Sequence, residues 1–325
     1  MHSAFRRVLP ALLAAFASVS TFAFDLQGHR GARGLAPENT LPAFERALDL
    51  GVTTLELDIG LTADGVVVVS HDPALNPAIT RDASGRWLSV PGPLLKSLTA
   101  AQLQAYDVGR IAPESPYART FATQQPRDGT RIPALAEVFA LVRGRGAPVR
   151  FNIETKLSPR QPDDTASVEA MTDALLAAIR AAGVADRVTI QSFDWRTLQR
   201  VQQLQPGLPT SYLTIQTANT NNVNDPAWTA GLLLSDHGGS VPRLVKAAGG
   251  AAWAPNGGAL TEALVREAQA LGLKVTPWTI NAPSDMERLL SWGVDGIITD
   301  YPDRLREVMQ RRGMPLPPPA PARER

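Results

Sequence analysis

Short runs of β-branched and apolar residues alternate along the chain with stretches whose apolar positions follow a helical period. The runs fall at residues 25–29, 53–59, 148–154, 187–191, 209–213, 251–254, 273–278 and 295–299. Between them, Leu41, Phe44 and Leu48 share one helical face, as do Val168, Met171, Leu175 and Ile179. Leu260, Ala263, Leu264, Ala268 and Leu271 form a third stripe, and all three read as core-facing. Strands separated by amphipathic helices predict a parallel sheet, and eight of them predict closure into a (β/α)₈ TIM barrel.

One stretch breaks the alternation. Residues 53–59 are followed by Asp64, Gly65 and the apolar run 66–69, which predicts a β-hairpin after the second strand with a two-residue type I′ turn. That register sets Asp58 opposite His71 and returns the histidine to the level of Glu56 and Asp58. Residues 72–131 are rich in Pro, Gly, Asp and Arg and read as a long insertion before the next helix, a substrate-facing lid rather than a second domain. The barrel is expected over residues 24–312. The Pro-rich residues 313–325 are expected to form a disordered tail.

Residues 1–23 read as a signal peptide. Arg6 and Arg7 precede an apolar stretch with small residues at Ala17, Thr21 and Ala23 suited to cleavage. The stretch is shorter than the roughly 20 residues a spanning helix needs and contains Pro10. The expectation is an exported protein, periplasmic in location, with no stable membrane insertion once the leader is removed.

Composition narrows the function classes. Lys and Arg total 32 against 31 Asp and Glu, so the basic excess of a nucleic-acid binder is missing and any electropositive site must be local. No cysteine occurs in the 325 residues, which excludes disulfides, a thiol nucleophile and thiolate metal sites.

Barrel chemistry gathers at the C-terminal strand ends. There the sequence places His29 and Arg30 after the first strand, Glu56 and Asp58 on the second, His71 at the hairpin's end, Glu154 and Lys156 after the third, and Trp278 after the seventh. Glu56 and Asp58 are two apart on a strand and share a face. With Glu154 they make three clustered carboxylates, which repel one another unless a cation sits among them; an all-oxygen set suits Mg²⁺ or Ca²⁺. A structural ion-pair network is the alternative for Glu56. His29 and His71 fit metal ligands or a general acid and base. Because Arg30 stands where a second histidine ligand of the first strand would be, acid–base work is the better assignment. Arg30 and Lys156 suit a phosphate, and pairing with Glu38, Glu56 or Glu154 is compatible with that role. A glycosidase would leave both histidines, Arg30 and Lys156 without roles. A solute-binding protein without turnover is a third class, against which both histidines argue.

These residues stand in blocks. His29-Arg30-Gly31, Pro37-Glu38-Asn39-Thr40, Glu56-Leu57-Asp58, His71-Asp72-Pro73 and Glu154-Thr155-Lys156 resemble the successive motifs of glycerophosphodiester phosphodiesterases. Gln191-Ser192-Phe193, Trp278-Thr279-Ile280-Asn281 and the segment from Gly296 to Pro302 agree, so the resemblance runs over about residues 27–302. It implies a TIM barrel holding one divalent ion, Ca²⁺ or Mg²⁺, on Glu56, Asp58 and Glu154. It also implies His29 and His71 as acid and base, and Arg30 and Lys156 as phosphate ligands. Glu38 would orient Arg30 or touch substrate, and Trp278 would line the pocket. The implied reaction is hydrolysis of a small-molecule glycerophosphodiester, such as glycerophosphocholine or glycerophosphoethanolamine, to sn-glycerol 3-phosphate and an alcohol. Attack by the glycerol 2-hydroxyl through a cyclic phosphate, or direct attack by water, would use the same groups. A phospholipase D-like hydrolysis of lysophospholipids on the same barrel is the rival. Head-group preference, the choice of ion and the oligomeric state are not written in the sequence.

Overall fold

A computed structural model describes residues 24–322. Eight parallel strands make the barrel: β1 Asp25–Gly28, β2 Thr54–Leu61, β4 Arg150–Thr155, β5 Val188–Ser192, β6 Thr210–Thr214, β7 Ala252–Pro255, β8 Lys274–Val275 and β9 Gly296–Thr299, with the short β3 Val67–Val69 antiparallel on β2. Neighbours run in the order β8, β7, β6, β5, β4, β2, β1, β9. The ring closes where Asp295 N donates to Val275 O at 2.9 Å and Ile298 N to Pro277 O at 3.0 Å. The last strand before closure is shorter than the expected 273–278. Pro277 follows β8 at this seam without an N–H group, so the ladder thins there.

Eight helices wrap the sheet: α1 Leu41–Leu50, α4 Leu135–Gly144, α5 Val168–Ala182, α6 Trp195–Leu204, α7 Val241–Ala247, α8 Glu262–Ala270, α9 Pro283–Ser291 and α10 Pro302–Arg311, while α2 Ala100–Leu103 and α3 Pro116–Thr120 lie in the insertion. Their apolar faces and the outward residues of the strands form one core. Leu55, Leu57 and Ile59 of β2 are fully buried under it beside Phe44, Leu135 and Leu175. Truncating such a leucine costs about 2–5 kcal/mol. Since Leu55, Leu57 and Ile59 face the helices, Glu56 and Asp58 must face the barrel interior.

The hairpin forms with a register one residue away from the expected one. Ile59 pairs with Val69 and Leu61 with Val67, and Ser70 N donates to Asp58 O, so Ser70 rather than His71 lies opposite Asp58. The loop holds three residues, with Gly65 at φ +76° in the left-handed region, instead of the two-residue turn. His71 therefore stands one residue beyond the ladder, where the strand constraint ends.

The insertion builds a small core of its own from Leu75, Leu95, Leu103, Val108 and Ile132 against Val68 of β3. Arg81 and Asp107 exchange backbone hydrogen bonds at 2.8 and 3.0 Å and pair through their side chains. The tail differs from expectation up to residue 322. Ala320 N donates to Leu48 O at 2.9 Å, Arg145 Nε to Pro321 O at 2.6 Å and Arg306 to Pro317 O at 2.7 Å. Met314, Leu316 and Ala320 pack on the core, and prolines need no N–H partner, so a Pro-rich strap docks at little polar cost. The expected leader lies outside the described residues. Among the described residues no helix is long and apolar enough to cross a membrane.

Candidate active site

The chain leaves β1 through a tight loop. Arg30 and Asn39 are the non-glycine residues here with positive φ, at 50° and 55°. Gly31 has φ +85°, and a Cβ on it would come within 2.6 Å of the Ala43 carbonyl carbon, so only glycine fits between the loop and α1. Such backbone is held where surroundings over-determine it. Arg30 N donates to Glu56 Oε2 at 2.8 Å, and the Arg30 guanidinium donates to Glu38 Oε1 at 2.7 Å. Asn39 Nδ2 donates to Asp58 Oδ2 at 2.9 Å.

The strand register crowds the carboxylates. Glu56 lies beside Asn152, and Asp58 beside Glu154, in the parallel pairing of β2 with β4. One oxygen from each of Glu56, Asp58 and Glu154 falls within 4.8 Å of the others, and all three side chains are buried. Burial, then Asp58 and Glu154, push the Glu56 carboxyl well above the usual carboxylate range. Burial likewise carries Glu154 up to about 7, with Lys156 opposing and Asp58 adding to the rise. Asp58 goes the other way: burial alone would raise it, but Arg30, His71 and Lys156 together hold it low. Asp58 Oδ1 is buried without a hydrogen-bond partner among the described residues. An orphaned carboxylate oxygen among crowded like charges, all of them hard oxygen donors, fits a divalent cation.

Each histidine is held by a carboxylate. His29 Nδ1 lies 2.6 Å from Asp300 Oδ1, and His71 Nδ1 lies 2.8 Å from Asp72 Oδ1. Arg33 and Asn281 fix Asp300 in turn, and Asn76 Nδ2 fixes Asp72 at 2.6 Å. With Nδ1 engaged, Nε2 of each ring is free to face the site; His29 Nε2 stands 3.9 Å from Glu56 Oε2. Burial, then Arg33, lower His29 to about 4. Burial, then Lys156 and Arg30, also lower His71.

Lys156 Nζ donates to Glu154 Oε1 at 2.6 Å and lies 3.7 Å from Asp58 Oδ1. It borders a cleft of about 350 Å³, which His71 and Glu154 also line. His29, Arg30, Glu56 and Asp58 sit deeper, each less than one-tenth exposed. Eight of the nine residues singled out in the sequence thus meet in one cluster. Trp278 is apart: its Nε1 donates to Ala254 O, and its ring meets Phe193 edge to face with centroids 5.3 Å apart. Phe193 lines the cleft, and Trp278 does not.

Residues 29–304 match the glycerophosphoryl diester phosphodiesterase family. The chain belongs to that family. A glycerophosphodiester phosphodiesterase of Bacillus subtilis is 32% identical over 283 residues, covering 86% of this chain and 84% of its own. A solved structure from Silicibacter pomeroyi, provisionally named a glycerophosphoryl diester phosphodiesterase, is 37% identical with a TM-score of 0.82, covering 91% of this chain and 96% of that one. An Oleispira antarctica phosphodiesterase in complex with the product sn-glycerol-3-phosphate shares the fold at 22% identity and a TM-score of 0.66, covering 89% of this chain and 98% of that one. The chain is accordingly a phosphoric diester hydrolase of the glycerophosphodiester phosphodiesterase type.

The sequence left parts of this family site in the background. Asp300 reads equally well as a strand terminator, yet it holds His29 from 271 positions away. Gln191 donates to Glu56 Oε1 at 2.7 Å, and Asn152 Nδ2 donates to Gln191 Oε1 at 2.9 Å. Tyr117 of the insertion donates its hydroxyl to Glu38. The Asn39 contact had a signal in the Pro-Glu-Asn-Thr block; Tyr117 had none.

Proposed function

We propose that this enzyme hydrolyses glycerophosphodiesters, such as glycerophosphocholine and glycerophosphoethanolamine, to sn-glycerol 3-phosphate and an alcohol. Glu56, Asp58 and Glu154 would hold one divalent ion, Ca²⁺ or Mg²⁺. The carrying observation is the carboxylate triad with the orphaned Asp58 oxygen, flanked by two histidines that each have Nδ1 fixed by an aspartate. A divalent ion bound there supplies charge to the non-bridging phosphate oxygens.

The chain's own residues do the rest. Arg30 and Lys156 bind phosphate oxygens, and Glu38 keeps the Arg30 fork in place. His29, kept neutral at pH 7 by burial, accepts the proton of the attacking hydroxyl at Nε2. His71, at the edge of the cleft, delivers a proton from its imidazolium form to the departing alcohol oxygen; burial disfavours that form, and Asp58 and Asp72 favour it. Asp300 and Asp72 hold the two rings so that Nε2 carries the exchange. The lysophospholipid alternative is not favoured, because the curated relatives are named for diesters of glycerol. Export with removal of residues 1–23 and residence in the periplasm belong to the same proposal, supported by the basic and then apolar N-terminal pattern.

The test is release of glycerol 3-phosphate from glycerophosphocholine with Ca²⁺ or Mg²⁺, with EDTA, and with a His71→Ala variant. Release that needs an ion and disappears in the variant supports the whole reading. Absence of release from folded protein with either ion would sink it, and EDTA-resistant release would remove the metal from it. Cell fractionation checks the location.

A further inference from the structure

The cleft beside Lys156 has a composition that the phosphate chemistry does not use. Beyond His71, Glu154 and Lys156 it is lined by Phe193, Trp228, Ile215 and Asp164. Several of its polar lining groups are committed already. Asn222 Nδ2 donates to Leu213 O while its Oδ1 accepts from Ile215 N, and Asn221 Oδ1 accepts from Val223 and Asn224. Ser158 Oγ accepts from Arg160 and Gln161. The carboxylate of Asp164 differs: among the described residues it has neither a hydrogen bond nor an ion pair. Lys96 donates to the carbonyl of the adjacent Thr165 at 3.2 Å, and Lys156, in the same cleft, pairs with Glu154.

We propose that this cleft is a subsite for a cationic alcohol of the diester, with choline the best fit, seated between Phe193 and Trp228 and facing Asp164. This rests on the diesterase reading above and adds to it the class of leaving group. Two aromatic rings and an unpaired carboxylate suit a quaternary ammonium: the rings attract the cation without requiring it to donate hydrogen bonds, and the carboxylate balances its charge. Placement agrees. The Lys156 ammonium lies 5.9 Å from the centre of the Phe193 ring, so a phosphate held on Lys156 brings its esterified alcohol, two carbons from the nitrogen, toward that ring. The cleft volume of about 350 Å³ accommodates such a group. His71 borders the same cleft, where the departing oxygen would be.

Two measurements on the full enzyme with Ca²⁺ test it, using wild type, Asp164→Asn and Trp228→Leu. The first is kcat/KM for glycerophosphocholine relative to that for bis-glycerol phosphate, whose second alcohol carries no charge. The expected wild-type ratio is well above one, and each variant lowers it about five- to tenfold. The second is binding of choline itself, followed by saturation-transfer NMR, which each variant is expected to weaken by a similar factor. Equal turnover of both diesters in wild type, or a ratio and choline affinity indifferent to both substitutions, overturns the subsite while leaving the diesterase reading intact. Choline binding that is lost in the variants, in a protein that hydrolyses neither diester, supports the subsite and sinks the diesterase reading instead.

Discussion

The barrel has two polar mouths, built from similar residues and doing different things. At the N-terminal mouth a cavity of about 290 Å³ is lined by Asp25, Arg150, Lys274 and Asp295 among others. Each charge there is answered. Asp25 accepts from Thr53, Thr54 and Gln27 and pairs with Arg150 at 3.0 Å, while Asp295 accepts from Lys274 at 2.8 Å and from Val275 N at 3.0 Å. At the C-terminal mouth three carboxylates converge on one another, with Arg30 and Lys156 beside them, and Asp58 Oδ1 is buried without a hydrogen bond among the described residues. The difference lies in arrangement and not in inventory. Alternating signs close a barrel end; like signs pressed together need something from outside.

The two ends are joined by amides. Asn152 Nδ2 donates to both Gln27 and Gln191, and Gln191 Nε2 then points at Glu56 Oε1. This orientation suits an ionised Glu56, which can only accept. The chain of amides thus opposes the crowding that raises the Glu56 pKa.

The sharpest way to break the comparison is at a residue of the upper mouth alone. His71→Ala should lower turnover of glycerophosphocholine by about 10²- to 10⁴-fold while leaving the thermal melt unchanged. A melt shifted as far as that of a core truncation would mean that His71 is structural. Next, Gln191→Leu should weaken metal affinity by about 10- to 100-fold in calorimetry, since it removes the partner that fixes Glu56 Oε1, an oxygen of the proposed ion site. An unaltered affinity would sever the amide chain from the site.

The pH dependence follows from crowding. In the metal-free protein the Glu154 carboxyl is raised to about 7, so it carries protons at and below neutrality. Those protons must leave when an ion binds, and affinity should therefore fall as pH drops below about 7, with proton release seen as a buffer-dependent heat. A flat profile between pH 5 and 7, checked by calorimetry in two buffers, would count against the triad as the ion's site.

Lower down the scale, Asp25→Ala strips partners from Thr53, Thr54 and Arg150 and should cost about 1–3 kcal/mol in urea unfolding, with kcat retained. Lys274→Ala should cost less than about 1 kcal/mol, because its ion pair with Asp295 is mostly solvent-exposed on the lysine side. Should Lys274→Ala abolish turnover, the division of labour between the two mouths would be wrong.

Much of this was legible before folding. The alternation of apolar and acidic positions along Glu56-Leu57-Asp58 already aims both carboxylates inward, because a strand's side chains change face at every residue. The order of strands and helices already implies a barrel, and barrel geometry collects strand-end residues that sequence spreads over more than a hundred positions. The hairpin was legible only to within one residue. Whether its loop holds two residues or three is decided at Asp64, which a type I′ turn would need at positive φ and which stays outside that region, while Gly65 is left-handed in either case; the difference moves His71 off the ladder. The tail was misread because proline-rich composition describes the unfolded chain's preference; the apolar surface waiting for Met314, Leu316 and Ala320 belongs to other segments.

By itself, then, the sequence determines what is local or periodic: which face each strand residue takes, which helices are amphipathic, and which chemical groups end each strand. Tertiary structure alone decides pairings between distant segments. Asp300 reaches His29, Glu154 settles beside Asp58, and Tyr117 of the insertion donates to Glu38. These depend on sheet register and loop closure, which are set by the summed packing of the whole barrel and not by any short window of residues.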